Sequence, residues 1–227
     1  MKKSYILAIL LLLLPMQIMS QVRPTIAVLG DSYSTFEGFN PKGNAVWYFN
    51  PARKDMTDVT CVEQTWWWQV IKEGGYKRGV IDAYSGATIC NRGYRGEDYT
   101  DRSFITRVPN LGNPDIILIC GATNDSWANV KMGNYQYADW QRDNLFQFRP
   151  GMAKMLNDIC LYYPNVKVYF VLNDGLSNDI NTSVEKVCQH YHVPIIKLKN
   201  IDKKTGHPSV KGMKSIAKQV LKVLKKG

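Results

Sequence analysis

Four short segments of the chain carry groups suited to acyl transfer. They supply a hydroxyl at Ser32, a small residue at Gly86, a side-chain amide at Asn124 and an imidazole at His207. A serine oxygen becomes a nucleophile when an imidazole takes its proton, and amide and backbone N–H groups can stabilise the oxyanion that forms. Each segment alone is weak evidence, whereas the four together, in this order, indicate nucleophilic catalysis at a carbonyl carbon.

Each segment adjoins a predicted strand or helix, so these elements must position it. Five apolar runs of strand length, rich in β-branched residues, cover Thr25–Leu29, Val80–Tyr84, Asp115–Cys120, Val166–Leu172 and Val193–Leu198. Helical stretches cover Thr65–Glu73, about 148–162, about 179–191 and the chain from Ser209 onwards. This alternation predicts a single α/β domain over residues 21–227, with three α/β/α layers around a mostly parallel sheet.

Two long, aromatic-rich segments interrupt the alternation, over residues 35–64 and 126–144. Both follow predicted strands, so both are expected at the carboxyl end of the sheet, where open α/β sheets bind ligands. Their rings are therefore predicted to wall a pocket at this edge, with Trp47 and Trp127 as candidate substrate-binding residues. The alternative for any single ring is that it only covers loop backbone.

The first 20 residues have the pattern of a secretory signal peptide. Two lysines follow the initiator, an apolar run covers Ile6–Leu14, and the small residue Ser20 precedes the expected cleavage point. The apolar run is short for a membrane span, and Gln21 stands where a lipoprotein needs Cys. We therefore expect cleavage after residues 1–20, a secreted or periplasmic mature chain and no stable membrane insertion. An uncleaved anchor is the alternative.

The composition is that of a globular protein whose positive charge is concentrated at one end. The chain has 227 residues, of which 45% are hydrophobic, and a formal net charge of +10. Residues 197–226 hold ten lysines and a single acidic residue, Asp202. Because the lysines of the last helix recur opposite an apolar stripe, they are expected to form a solvated face, and no nucleic-acid partner is predicted. A patch for an anionic surface is the alternative.

The five cysteines are widely and irregularly spaced, which excludes a zinc knuckle or a redox motif. Cys120 ends an apolar strand and Cys160 lies in a helical stretch, so both are expected to be buried. An oxidised chain could pair Cys61 with Cys90. The sequence leaves that pairing open.

The four segments together resemble the SGNH hydrolases, the GDSL-type esterases and lipases. Gly30–Ser34 reads GDSYS and resembles the first block of that family, with Tyr33 where the family name has Leu. Gly86 matches the glycine of the second block, Asn124 the asparagine of the third, and His207-Pro208 the last block. The resemblance runs from about residue 25 to the end of the chain.

The resemblance implies a flavodoxin-like sheet of about five strands and ester hydrolysis through an acyl-enzyme, without a metal or organic cofactor. Ser32 would be the nucleophile and His207 the general base. The Asn124 amide and the backbone N–H groups of Ser32 and Gly86 would form the oxyanion hole.

Two departures from the family pattern affect the expected site. Lys204 stands where members commonly place Asp three residues before the histidine. Asp202 is the nearby acid and is predicted to complete a Ser-His-Asp triad, but a backbone carbonyl, or no acid at all, could orient His207 instead. Ala122 stands where many members have Gly.

Other titratable residues near these blocks are expected to have structural roles. Asp31 and Asp125 adjoin the serine and the asparagine and are predicted to fix their loops. His190 and His192 have no ligand partners at metal spacing, so they are expected to face solvent or cap a helix, and no metal site is predicted.

The sequence restricts the substrate less than the reaction. No long apolar lid segment is present, which argues against a long-chain lipase, and aromatic rings suit the flat C–H faces of sugars. We therefore predict a small-acyl ester, such as an acetyl ester, on a carbohydrate or similar small molecule. The alternatives are a lysophospholipase or thioesterase of the same family, and a catalytically inactive relative that binds carbohydrate.

Overall fold

The computed structural model describes residues 23–225, so the predicted signal peptide over residues 1–20 lies outside the described part of the chain. Strands β1–β5 cover Thr25–Gly30, Lys77–Ala83, Ile116–Gly121, Lys167–Leu172 and Ile195–Lys197. Helices α1–α6 cover Trp66–Gly74, Phe104–Arg107, Thr123–Trp127, Phe148–Tyr162, Asn178–His190 and Val210–Leu224. A short hairpin of β6, Lys203–Lys204, and β7, His207–Pro208, precedes α6.

The strands β1–β5 form one parallel sheet in the order β2-β1-β3-β4-β5. The chain moves to one side of β1 to form β2 and then crosses to the other side to form β3. The carboxyl ends of β1 and β3 therefore border the switch point at which such sheets bind ligands. The turn after β1 carries Ser32, and α3 after β3 carries Asn124. The predicted flavodoxin-like α/β fold is confirmed.

Two apolar cores cover the two faces of the sheet and complete the three layers. On one face, α1 and α6 bury Trp66, Trp67 and the stripe of α6 that includes Met213. On the other face, α2, α4 and α5 bury residues such as Phe104 and Phe148. Burying one large apolar side chain contributes roughly 1.5–3 kcal/mol to the stability of the fold. The two cores therefore stabilise the sheet and fix the strand ends that carry the site.

The predicted order of the five strands and four long helices is confirmed, and the differences are shifted element ends and short elements that were not predicted. β2 begins at Lys77, before the predicted start at Val80. The prediction missed its first residues because β2 is an edge strand and these residues are solvent-exposed and charged, without an apolar pattern. The short helices α2 and α3 and the β6–β7 hairpin were not predicted, because one turn or one residue pair leaves no periodic pattern.

Most rings of the second aromatic segment lie away from the site, so the prediction that they wall a pocket there is wrong for them. Tyr135, Tyr137 and Trp140 pack against the core on the α4–α5 face of the sheet. Tyr137 also stacks on His190 at the end of α5, with ring centroids 3.7 Å apart. The segment folds back over these helices because they offer apolar surface. Trp127 alone among the rings of this segment lies at the site.

The cysteines are free thiols within the described residues, and the pairing of Cys61 with Cys90 is not formed. Cys120 is buried as predicted, whereas Cys160 is exposed. Cys160 follows the buried Ile159 and lies just beyond the apolar stripe of α4.

Within residues 23–225 no helix has the length and hydropathy needed to cross a membrane.

Candidate active site

Ser32 lies in a tight turn immediately after β1. A 3₁₀ turn over Ser32–Ser34 follows the strand, and the Asp31 carboxylate caps it by accepting a hydrogen bond from the backbone N–H of Tyr33 at 3.0 Å. Only 2% of the Ser32 surface is exposed. The turn therefore fixes the hydroxyl at the carboxyl edge of the sheet and shields it from bulk water.

His207 faces the Ser32 hydroxyl from the β6–β7 hairpin. Its Nε2 lies 2.9 Å from Ser32 Oγ, and its Nδ1 lies 3.1 Å from the carbonyl oxygen of Thr205. A carbonyl can only accept a hydrogen bond, so Nδ1 carries the proton and Nε2 is free to accept the serine hydroxyl. The ring is thus held in the tautomer that a general base requires.

The environment of His207 favours the neutral imidazole. Burial lowers the pKa of His207 to about 4, and the positive charge of Lys203 acts in the same direction, while the hydrogen bond to Thr205 opposes them. A base that is neutral down to this pH can take the Ser32 proton throughout the neutral range.

Asp202 does not contact His207, and its predicted place in a triad is wrong. Its carboxylate instead accepts a hydrogen bond from the Ser209 hydroxyl, and the Ser209 side chain in turn caps α6. Asp202 lies just before the β6–β7 hairpin and His207 lies beyond its turn, so the backbone directs the carboxylate towards the start of α6. The Thr205 carbonyl takes the orienting position, one of the alternatives that the sequence left open.

Trp47 stacks on the imidazole of His207. The Trp47 and His207 ring centroids are 3.5 Å apart and the planes differ by 8°. The guanidinium of Arg53 also lies over the Trp47 ring, 5.5 Å from its centroid. The imidazole covers one face of the Trp47 ring, and a cation also lies above the ring. Trp47 therefore contacts His207, and the structure does not support its predicted role as a substrate-binding residue.

Two buried tyrosines hold the peptide groups on either side of His207. The Tyr33 hydroxyl donates to the carbonyl oxygen of Gly206 at 2.7 Å, and the Tyr48 hydroxyl donates to that of Pro208 at 2.9 Å. Asn173 donates to the Tyr33 hydroxyl at 3.2 Å. Sequence reasoning missed these roles, although Tyr33 was visible as a departure from the family block.

Asn124 is held at the same edge with its amide oriented by two partners. Its Nδ2 donates to the carbonyl oxygen of Ala87 at 2.9 Å, and its Oδ1 accepts from the hydroxyl of Tyr94 at 2.7 Å. The second hydrogen of Nδ2 remains for an oxyanion. Tyr94 was not predicted, because nothing in its sequence context connects it with the asparagine block.

Gly86 and the acidic residues Asp31 and Asp125 shape the backbone around the expected oxyanion hole. Gly86 has φ of +85°, a left-handed conformation that favours glycine. Asp125 accepts from the backbone N–H groups of Ile89 and Cys90 and so ties this segment to α3. Burial raises the pKa of Asp125 to about 6 and that of Asp31 to about 7. Both acids contact backbone N–H groups, in keeping with their predicted structural roles.

Trp127 stands at the mouth of the site. Its ring lies 5.8 Å from the His207 ring, centroid to centroid and nearly edge-on, and 44% of its surface is exposed. The ring is therefore accessible to a molecule that approaches Ser32. Its predicted position beside the substrate remains a proposal.

The described residues contain no group of three or more histidine, cysteine, aspartate or glutamate side chains placed to hold a metal ion. His190 and His192 are both exposed at the end of α5. Neither lies among the site residues.

A model of the GDSL-like Lipase/Acylhydrolase family matches residues 24–224. A GDSL-like lipase from Bacteroides ovatus has a TM-score of 0.89 and 51% identity, covering 91% of this chain and 100% of its own. One from Bacteroides uniformis has the same TM-score and 44% identity, covering 91% of this chain and 98% of its own.

An acetyl xylan esterase from Butyrivibrio proteoclasticus shares the fold, with a TM-score of 0.61 at 15% identity, covering 89% of this chain and 63% of its own. No curated protein sequence matches the chain. The family model spans nearly all the described residues and includes the Ser32 turn, Asn124 and His207. The chain therefore belongs to the GDSL-like lipase/acylhydrolase family of ester-hydrolysing enzymes.

Proposed function

We propose that this enzyme is a secreted serine esterase that removes small acyl groups, acetyl foremost, from a carbohydrate. Ser32 is the nucleophile, His207 is the general base, and Asn124 with the backbone N–H groups of Ser32 and Gly86 forms the oxyanion hole. The catalytic pair is a dyad, because a backbone carbonyl takes the position of the acid.

One observation carries the reaction: His207 Nε2 and Ser32 Oγ are 2.9 Å apart, with Nδ1 fixed by the Thr205 carbonyl. This is the hydrogen-bond distance needed for proton transfer from a serine to a base. The Asn124 amide lies at the neighbouring strand end, where an oxyanion donor is required.

The reaction proceeds in two halves. Ser32 Oγ bonds to the ester carbonyl carbon while its proton passes to His207 Nε2, and the carbonyl oxygen takes the negative charge in the oxyanion hole. The C–O bond to the alcohol then breaks, and the alkoxide leaves with the proton from His207. A water molecule repeats these steps on the acyl-serine, which releases the acid and restores the serine.

The burial of the site favours a small acyl group. The exposed fractions of Ser32 and Asn124 are 2% each, and that of His207 is 6%. Because Ser32 and its neighbours expose so little surface, an acetyl group is expected to reach the serine more readily than a long acyl chain.

The mouth of the site favours a carbohydrate alcohol. Trp127 is the exposed aromatic ring beside His207, and aromatic faces suit the C–H faces of sugars. The acetyl xylan esterase that shares this fold is in keeping with such a substrate, although its likeness alone establishes only the fold.

The first experiment compares hydrolysis of p-nitrophenyl acetate by the parent and by Ser32→Ala. The matched control is Ser34→Ala, which removes another buried hydroxyl from the same turn, one bonded to Trp66 rather than to His207. We expect Ser32→Ala to lose activity by at least about a thousandfold, and Ser34→Ala to retain most of it. Equal rates in all three folded proteins would overturn the proposal.

A substrate panel then tests the acyl group and the alcohol. We expect acetate to be released faster than butyrate or decanoate from matched p-nitrophenyl esters, and acetylated xylo-oligosaccharides to be deacetylated. Preference for decanoyl esters or for lysophospholipids would contradict the small-acyl proposal and favour the lipase alternative.

Secretion is tested by the N-terminal sequence of the protein recovered outside the cytoplasm. Cleavage of the predicted signal peptide gives a chain that begins near Gln21. An intact N-terminus on a protein that stays in the cytoplasm would contradict this part of the proposal.

A further inference from the structure

A cavity lies on the β2 edge of the sheet, between α1, the start of β1 and the loop that follows Ser32. Its volume is about 560 Å³, within the range of small-molecule binding sites. None of Ser32, Asn124 and His207 lines it. It is therefore separate from the ester-hydrolysing site.

Positive charge dominates the lining of this cavity. Arg23, Lys72, Lys77 and Arg78 all contribute to it, and no acidic residue does. None of these four side chains takes part in the ion pairs formed within residues 23–225. The cavity thus presents four cations that form no ion pair with a carboxylate of the described chain.

Aromatic rings alternate with these charges. Phe39, Trp68 and Tyr76 line the same cavity, and all three are only partly buried. The Arg78 guanidinium lies 5.1 Å from the centroid of Phe39, and the Lys72 ammonium lies 6.0 Å from that of Trp68. Flat apolar faces and cations therefore meet at one concave surface.

From this juxtaposition we infer a second, non-catalytic binding site for a sugar that carries an anionic group, a uronate or a sulfated hexose. The aromatic faces pack on the C–H face of the sugar ring, and the cations donate charge-assisted hydrogen bonds to the carboxylate or sulfate. This inference does not depend on the ester substrate proposed for Ser32.

The shape of the charged region argues against an extended polyanion. The cations line one cavity at the end of the sheet together with three rings, whereas a nucleic-acid surface tracks a backbone along a groove or stripe. The lysines of α6 form a separate solvated face. A single anionic ring, at the end or side of a chain, fits this site better.

The test is an NMR titration that follows the indole N–H of Trp68. The probes are tetragalacturonate, galactose 6-sulfate, neutral galactotetraose and a short oligothymidylate. Lys72→Gln combined with Arg78→Gln removes two cavity cations, and Lys211→Gln with Lys218→Gln removes two exposed lysines from α6 as the matched control. p-Nitrophenyl acetate hydrolysis is measured in parallel and is expected to be equal in all variants.

We expect an acidic sugar to shift Trp68, the neutral tetramer to leave it unchanged, and the cavity variant to weaken binding by about tenfold or more. The uronate and sulfate arms then distinguish the two anions. Equal weakening in the α6 control, no weakening in the cavity variant, equal binding of the neutral tetramer or tighter binding of oligothymidylate would each overturn the inference. Because binding is measured without turnover, an inactive enzyme leaves this test intact.

Discussion

Trp47 and His207 lie face to face, with ring centroids 3.5 Å apart and planes that differ by 8°. In the proposed mechanism His207 takes the serine proton and becomes an imidazolium, and an aromatic face attracts such a cation most strongly where water is excluded. The proposed dyad has no carboxylate beside its histidine, so the stack and the Thr205 carbonyl are the groups that stabilise this charge.

The stack predicts that Trp47→Leu lowers kcat by about 3- to 30-fold and leaves KM nearly unchanged, because a cation–π contact contributes about 0.5–2 kcal/mol. Steady-state kinetics on p-nitrophenyl acetate and an acetylated xylo-oligosaccharide measure both constants. Trp127→Leu is the control, and it is expected to raise KM for the sugar ester with little change in kcat. A raised KM and unchanged kcat for Trp47→Leu would instead assign Trp47 to the substrate.

The low pKa of His207 predicts activity that persists in mildly acidic solution. The base must be unprotonated, so kcat/KM is lost as the pH falls through the folded-state pKa of about 4. A pH profile of kcat/KM between pH 3 and 8, with stability checked at each pH, measures this limb. An acidic limb near the ordinary histidine value of about 6.5 would show that the ring is well solvated.

The two tyrosine hydroxyls beside His207 predict a loss of kcat without a loss of binding. Tyr33→Phe removes the donor to the Gly206 carbonyl and is expected to lower kcat by about tenfold and stability by about 1 kcal/mol. Tyr163→Phe is the matched control, because its hydroxyl donates to the Val108 carbonyl at 2.8 Å, far from His207 in the fold. Equal kcat in the two variants would reduce Tyr33 to a structural residue.

The position of Asp202 predicts that Asp202→Asn keeps kcat within about threefold of the parent. In a serine hydrolase whose histidine depends on a carboxylate, the same change costs about 10⁴ in kcat. Here the carboxylate accepts from Ser209, so the change is expected to weaken the start of α6 and to show mainly in thermal unfolding. A fall in kcat of a hundredfold or more would restore Asp202 to a triad.

The raised pKa of Asp31 predicts that the free energy of unfolding depends on pH. Burial raises its pKa from 3.8 to about 7, and its Oδ2 is buried without a hydrogen-bond partner within residues 23–225. Between these values the folded state binds more protons than the unfolded state, so this residue lowers stability as the pH rises from about 4 to 7.

Asp31→Asn is therefore expected to gain stability relative to the parent over that range, on the order of 1–3 kcal/mol at pH 8. Urea unfolding at pH 4 and pH 8 measures the difference. A difference that is the same at both pH values would show that folding does not raise the pKa of this carboxyl group.

The strand pattern and the four sequence blocks were enough to predict the fold class and the candidate site residues of this protein. Period and length of the apolar runs predicted the five strands and the long helices, because local burial patterns follow from side-chain periodicity. The positions of Ser32 and Asn124 after predicted strands, and of His207-Pro208 before the last helix, were enough to name residues that lie together at one edge. Both signals come from residues that are close together in the sequence.

The tertiary structure decided what contacts His207, because those contacts join residues far apart in the chain. The Thr205 carbonyl rather than Asp202 faces Nδ1, since the β6–β7 turn directs the backbone and not the carboxylate to the ring. Trp47 stacks on the imidazole, and Tyr94 orients Asn124, although nothing in the spacing of either indicated it. The sequence determined which groups are proposed to perform the chemistry, and only the packing of distant loops determined which groups hold them in place.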